Sequence, residues 1–283
     1  MEKDEQRLKV IENIKKNIKN GRLNDKVELN DPIVTEEQRK EIVIPFDIRH
    51  KKLSSKIKCK IALTIANNYT KLFNKDTEII GLEKLKDLDS GAIITQNHFS
   101  IQDSTITRHL TNKLKKTKVF DIVIEEENLF MEGEFGLLLN YCNTIPLSES
   151  MEYMTKKFYP TIKEYLSKKH WILIYPEEEM WFNYRKPRPG KIGAYHLAAK
   201  YNVPIISCFV EMIEKEEFES NGFKKIKYRL HILDVLYPDC TKSFKIRKEE
   251  LRKKDDQLKK EAYEKIYKKK LTYNFESTDI AGF

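Results

Sequence analysis

His98 and Asp103 are the residues of this chain whose types and spacing best suit chemistry. An imidazole takes up and returns protons near neutral pH. A carboxylate bonded to its second nitrogen fixes the tautomer and steadies the imidazolium. Such a pair is what a general base needs to activate a hydroxyl nucleophile. Five residues along a regular helix would put the two side chains on different faces, so the pairing requires a turn that folds the chain back. The same spacing also fits a helix N-cap region with a solvent histidine, and with 6 His and 44 acidic residues in 283 such a match arises readily by chance.

A second cluster, Glu177-Glu178-Glu179, directly follows Tyr175-Pro176. Three successive carboxylates fit a metal site, an acid catalyst or a solvated turn. No HExxH or Asp-rich loop accompanies them, which argues against metal, and a surface turn is the default for Glu178 and Glu179. Glu125-Glu126-Glu127 reads as a solvated loop. Arg185, Lys186, Arg188 and Lys191 follow closely and read either as a solvated basic loop or as a phosphate-binding group. No Ser or Cys sits in a nucleophile-elbow context, so a ternary reaction fits better than a covalent one. Cys59, Cys142, Cys208 and Cys240 are too far apart for a zinc knuckle or a redox CxxC, and read as free thiols in a reducing cytoplasm.

These residues need elements to hold them. Apolar runs at 77–80, 92–96, 119–125, 143–147, 171–175, 203–210 and 228–236 predict strands, and helical periodicity at 101–115, 135–141, 153–167 and 191–201 predicts helices between them. The alternation predicts an α/β fold: a mixed, largely parallel sheet flanked by helices, preceded by an N-terminal helical region. His98 and Glu177 both fall where a strand ends, the place where such sheets gather their chemistry. Three regions are expected. Residues 1–75 form a basic helical region suited to docking on a membrane surface, 76–240 the α/β domain, and 241–283 a basic C-terminal helix and tail packed on it.

Two apolar stripes stand out in the first region: Leu8, Ile11, Ile14 and Ile18 within 1–20, and Ile57, Ile61, Ile65, Tyr69 and Leu72 within 52–74. The stretch 21–32 reads as a polar linker, and 35–50 is ambiguous. A basic amphipathic helix can lie at a lipid interface or cover its own core. Residues 49–75 carry eight Lys plus Arg and no acid, and residues 241–270 carry 13 basic against 6 acidic groups, within a net charge of +9. Two localised basic stretches suit an anionic surface, lipid or nucleic acid. No helix-turn-helix, RRM or zinc-finger signature supports nucleic acid. No apolar run approaches the roughly 20 residues needed to span a bilayer.

Asn97-His98-Phe99-Ser100-Ile101-Gln102-Asp103 resembles the NHxSxxD block of the glycerolipid (lysophosphatidate) acyltransferase family. In order along the chain, 79–85 resembles its V-x-G-x-E-N-L lead-in, 143–147 its G-x-I-P-V-x-R block and Tyr175-Pro176-Glu177 the start of F-P-E-G-T. Further on, 191–198 resembles K-x-G-x-x-x-L-A and 203–206 V-P-I-x-P. The resemblance covers about residues 77–210. It implies an O-acyltransferase of phospholipid biosynthesis that takes acyl-CoA or acyl-carrier protein as co-substrate and needs no other cofactor and no metal. The acceptor would be a lysophospholipid or related glycerolipid. His98 and Asp103 would be catalytic, with Asn97, Glu177, Arg185, Arg188 and Lys191 binding substrate. Its place would be cytoplasmic, peripheral on the inner face of the membrane. Backbone amides near 177–179 are the candidates for oxyanion donors.

The departures bear on the acceptor. The second block's arginine falls on Glu149 or Ser148, and Glu178, Glu179 and Met180 stand for the Gly, Thr and Arg after F-P-E. Losing both arginines removes charge-assisted hydrogen bonds to a phosphate, which leaves open a different acceptor or a catalytically altered lipid-binding relative.

Overall fold

A computed structural model of the chain describes residues 3–29, 32–114 and 118–283. The first two residues of the helix expected at 1–20, part of the 21–32 linker and the end of the helix expected at 101–115 lie outside them.

Seven strands form one sheet: β1 Glu78–Ile80, β2 Ala92–Thr95, β3 Phe120–Glu125, β4 Thr144–Leu147, β5 Trp171–Leu173, β6 Ile205–Phe218 and β7 Lys224–Leu236. Their order is β1-β7-β6-β2-β5-β3-β4. Every pairing is parallel except β6 with β7, which form an antiparallel hairpin. β2 lies at the centre, flanked by β5 and β6, and all four of its residues are buried. A continuous apolar run is what a central parallel strand covered on both faces requires.

Among the described residues, seven helices have nine or more residues: α1 Glu5–Lys19, α2 Leu53–Phe73, α3 Ser104–Lys113, α4 Gly133–Tyr141, α5 Tyr159–Ser167, α6 Gly193–Tyr201 and α7 Phe244–Tyr267. The ambiguous stretch 35–50 resolves into short helical turns around Glu36–Val43 and Phe46–Lys51. One face of the sheet packs Ile93, Ile172 and Ile205 against α5 and α6, and the other packs Ile94, Trp171 and Ile206 against α3. Strands β6 and β7 run well past the expected bounds, pairing with each other as a charged hairpin whose outer halves are partly buried to exposed.

The two N-terminal stripes have different fates. Val10, Ile11, Ile14 and Ile18 of α1 are buried in a separate apolar cluster with Trp181, Phe182, Phe223 and Ile280, so α1 covers core. α2 turns its small residues Ser55, Ala62, Ala66 and Thr70 inward, and its large ones outward: Leu53 is 75% exposed, Leu72 74%, and Ile57 and Ile61 are also exposed.

α7 packs against β6, β7 and α6. In α7, Asp255 accepts from Thr95 at 2.9 Å and from Tyr195 at 2.6 Å and pairs with Lys259 at 2.9 Å, all buried. The tail then returns to bond residues 183–185 through Ala281 and Asp279.

Candidate active site

The site begins where β2 stops. Gln96 donates through Nε2 to the Asp103 carbonyl and accepts from the Thr107 hydroxyl, tying the turn to α3. The Asn97 amide faces β6. Its Nδ2 donates to the Val210 carbonyl at 3.1 Å and its Oδ1 accepts from the Val210 amide at 2.8 Å. The side chain thus extends the parallel ladder one step past the strand. Asn97 is buried, with its amide engaged by the Val210 backbone.

His98 is gripped by its backbone. Its amide donates to Glu177 Oε2 at 3.3 Å and its carbonyl accepts from the Trp181 amide at 3.1 Å. The turn the spacing required is present: the Asp103 amide donates to the Ser100 carbonyl at 3.1 Å. Asp103 occupies the N-cap position of α3, but its side chain makes no cap bond to that helix. Instead Oδ2 sits 2.9 Å from His98 Nδ1 and accepts from the Phe99 and Ser100 amides at 2.8 and 3.1 Å. Its Oδ1 accepts from the Tyr175 hydroxyl. The carboxylate is buried and its hydrogen bonds fix both oxygens, so the imidazole is held with its other nitrogen, Nε2, available.

Glu177 does not line the groove in front of His98. It lies beneath, accepting from the Arg188 amide at 3.0 Å and pairing with the Arg188 guanidinium at 3.0 Å. Arg188 is buried, stacks over Trp181 at 4.5 Å and also donates to the Leu23 and Glu179 carbonyls. Burial lowers its pKa, with Glu177 opposing the shift. Arg185 pairs with Glu214 at 2.7 Å and donates to the Thr278 carbonyl, and Lys186 pairs with Asp279 at 2.8 Å. Of the three basic residues expected to bind substrate, Lys191 alone lines the groove. Arg185 and Arg188 are engaged in holding the 181–190 loop, because that loop is clasped between the α1 region and the returning tail.

The groove has a volume of about 540 Å³, a size usual for a site that encloses a small organic ligand. Its walls are mainly apolar: Ile65 and Tyr69 of α2, Phe135 and Leu138 of α4, Ile122 and Ile124 of β3. His98, Asp103 and Tyr175 lie at its head, and Glu28, Glu125, Glu178 and Glu179 are carboxylates along it. Partial enclosure, then Glu179, Glu127 and Glu178, push the Glu125 carboxyl up to about 7, with Lys26 opposing. Glu125, exposed at the end of β3, also lines the groove.

Glu178 adopts φ +63°, the left-handed region where a side chain is strained and glycine is not. The F-P-E-G-T block places glycine there. The Glu178 amide donates to the Tyr175 carbonyl at 3.1 Å and the Glu179 amide to the Glu177 carbonyl at 2.9 Å. Both of these amides, from the stretch expected to supply oxyanion donors, are engaged in the turn. The turn in the lead-in block does require its glycine: a Cβ on Gly81, at φ +85°, would meet the Ile232 carbonyl oxygen at 2.6 Å.

A His–carboxylate pair thus faces an apolar groove at the strand ends of an α/β sheet. Residues 76–211, just under half of the chain, match the family described as Acyltransferase. Its activity class is that of an acyltransferase. The fold is shared with the crystal structure of the 1-acyl-sn-glycerophosphate (LPA) acyltransferase PlsC from Thermotoga maritima. The TM-score is 0.51 at 18% identity, over 81% of this chain and 89% of that one. No curated protein matches the chain by sequence.

Sequence reasoning missed the Tyr175 hydroxyl on Asp103, the Asn97 ladder bond and the place of Glu125. The one visible signal was Tyr175 itself, a tyrosine where the F-P-E-G-T block has phenylalanine.

Proposed function

We propose that the protein transfers a fatty acyl group from acyl-CoA or acyl-carrier protein to the hydroxyl of a lysophospholipid or related glycerolipid, with His98 as general base and Asp103 as its partner. The observation that carries this reading is His98 Nδ1 held 2.9 Å from a buried Asp103 carboxylate at the head of a mostly apolar groove. Nε2 accepts the hydroxyl proton as the acceptor oxygen bonds to the thioester carbonyl carbon. The C–S bond then breaks, and the thiolate leaves with the proton His98 held. Asp103 stabilises the imidazolium between those events. The acyl chain lies along the groove, where each buried methylene contributes about 0.8 kcal/mol.

The acceptor is one other than lysophosphatidate. Arg185 and Arg188 are engaged elsewhere, Glu149 pairs with Arg39 at 2.9 Å, and Glu125 and Glu178 face the groove. A phosphate monoester entering there meets more carboxylates than cations, which disfavours it. Arg108 and Lys191 also line the groove, and Arg108 is engaged with Cys142 and the Phe120 ring.

The protein works at an anionic membrane surface, at the inner face of a cytoplasmic membrane. No helix among the described residues is long and apolar enough to cross one. The outward stripe of α2, flanked by Lys56, Lys58, Lys60 and Lys71, fits an interfacial helix. Ile65 and Tyr69 of the same helix line the groove, so a lipid leaving the bilayer reaches His98 along one face.

The test is thiol release from palmitoyl-CoA and palmitoyl-carrier protein with a panel of lysolipids. The reading expects acceptor-dependent release with lysophosphatidate not the preferred acceptor. Release from neither donor with any lysolipid would overturn it, and strong selectivity for lysophosphatidate would overturn the acceptor assignment. For the surface, Ile57→Glu with Ile61→Glu should abolish binding to phosphatidylglycerol vesicles, and wild-type binding should weaken with salt. Unchanged binding in the double variant would remove α2 from the docking role.

A further inference from the structure

We infer that Tyr175 is a positioning residue of the reaction, setting both the basicity and the orientation of His98 through its hydroxyl and its ring. This rests on His98 being the base.

Two independent contacts converge on the dyad from one side chain. The Tyr175 hydroxyl donates to Asp103 Oδ1, the oxygen that the His98 imidazole and the turn amides leave free. The Tyr175 ring lies flat on the imidazole, with centroids 3.8 Å apart and planes 14° from parallel. Tyr175 comes from the loop two residues past β5, and His98 from the loop three past β2. Since β2 and β5 are parallel neighbours, their carboxyl ends bring the two rings together by register alone.

Each contact has a separate consequence. Asp103 is 1% exposed, so protein donors balance its charge. A phenol hydroxyl on Oδ1 draws charge away from the imidazole-facing oxygen, and so limits how strongly Asp103 holds the imidazolium. Without that donor the carboxylate favours protonated His98 more, and the base is blocked up to higher pH. Burial and Asp103 itself raise the Tyr175 pKa well above the ordinary phenol value, so the hydroxyl stays a donor through the working range. The ring acts differently: stacked on the imidazole, it restricts rotation about the Cβ–Cγ bond and keeps Nε2 aimed at the groove.

Other charged or titratable groups pack around the dyad, and none takes the Oδ1 position. Glu177, paired with Arg188, bonds the His98 backbone amide. Tyr228 of β7 stacks on Phe99 at 5.5 Å, and Asp103 helps raise its pKa. Glu178 and Glu179 line the same groove.

The experiment is the pH–rate profile of three forms beside His98→Ala. Tyr175→Phe keeps the ring and loses the donor. The acid limb should move to higher pH by about one unit, the size of one hydrogen bond to a charged group. Near pH 7, kcat should fall about three-fold and recover by pH 9, with KM unchanged within about two-fold. Tyr175→Leu loses the ring as well, and kcat should fall about 100-fold at every pH, the cost of a misaimed base. Site-specific 3-fluorotyrosine at 175 keeps the shape and strengthens the donor, so the limb should move the opposite way. That form folds even if Tyr175→Phe does not. An unmoved acid limb in both Tyr175→Phe and the fluorinated form would overturn the inference, as would a Tyr175→Leu rate equal to that of Tyr175→Phe. Full activity in His98→Ala instead removes the base itself, so the two failures are distinct.

Discussion

Behind His98, Asn97, Asp103, Glu177 and Arg188 are each at most 3% exposed and make hydrogen bonds to named partners. In front of it, Glu28, Glu125, Glu134, Glu178 and Glu179 stand with Arg108 and Lys191 along a groove whose remaining wall is mainly apolar. The rear is a fixed scaffold in which each buried polar group is compensated, as a low-dielectric setting requires. The front carries charge along the groove wall. Residues alike in type therefore serve differently on the two sides: Glu177 and Glu178 are adjacent in sequence, yet one braces the base and the other faces the groove.

The largest stability effect belongs to the rear. Arg188→Met leaves the Glu177 carboxylate buried without its guanidinium and should cost about 3 kcal/mol in denaturant unfolding. Arg185→Met, which breaks a less buried pair with Glu214, should cost about 1 kcal/mol or less. Equal costs would erase the distinction between the two arginines. Asn97→Ala removes both bonds to the Val210 backbone and should cost about 2 kcal/mol, with activity falling because the His98 turn loses its anchor to β6.

At the front the effects are smaller and depend on pH. The Glu125 carboxyl titrates at about 7 in the folded protein against an ordinary 4.5. The folded form therefore keeps a proton that the unfolded form has lost, and stability falls as pH rises from 4.5 through 7 and stays lowered above. Glu125→Gln removes that fall. Its melting temperature should match wild type at pH 4 and exceed it at pH 8; parallel curves would show that Glu125 is an ordinary surface carboxylate. Smallest of all, Glu178→Gly relieves the left-handed backbone but adds unfolded-chain freedom, and should stay within about 1 kcal/mol of wild type. A large loss of stability there would mean that Glu178 belongs to the scaffold.

The sheet was readable because its central strands are short apolar runs bounded by turns: 92–96 and 171–175 stand out and the observed strands fall within them. The outer halves of β6 and β7 were not readable, since residues such as Glu211-Met212-Ile213-Glu214-Lys215 mix charge with alternation on an exposed hairpin. The His98–Asp103 pairing was legible as a requirement for a turn, and the turn is there. The roles of Arg185 and Arg188 were not, because whether a cation is free depends on partners far along the chain, Glu214 and Thr278 for one and Leu23 for the other. The two N-terminal stripes look alike in sequence. What separates them is which face carries small residues: α2 packs inward through Ala62 and Ala66 and leaves Ile57 and Ile61 outside.

The central claim is that His98 is the base, and the most direct measurement is acceptor-dependent thiol release by His98→Ala alongside its thermal melt. The account predicts a fall of about 1,000-fold in kcat with the melting temperature close to wild type. A folded His98→Ala protein that releases thiol at the wild-type rate would contradict it.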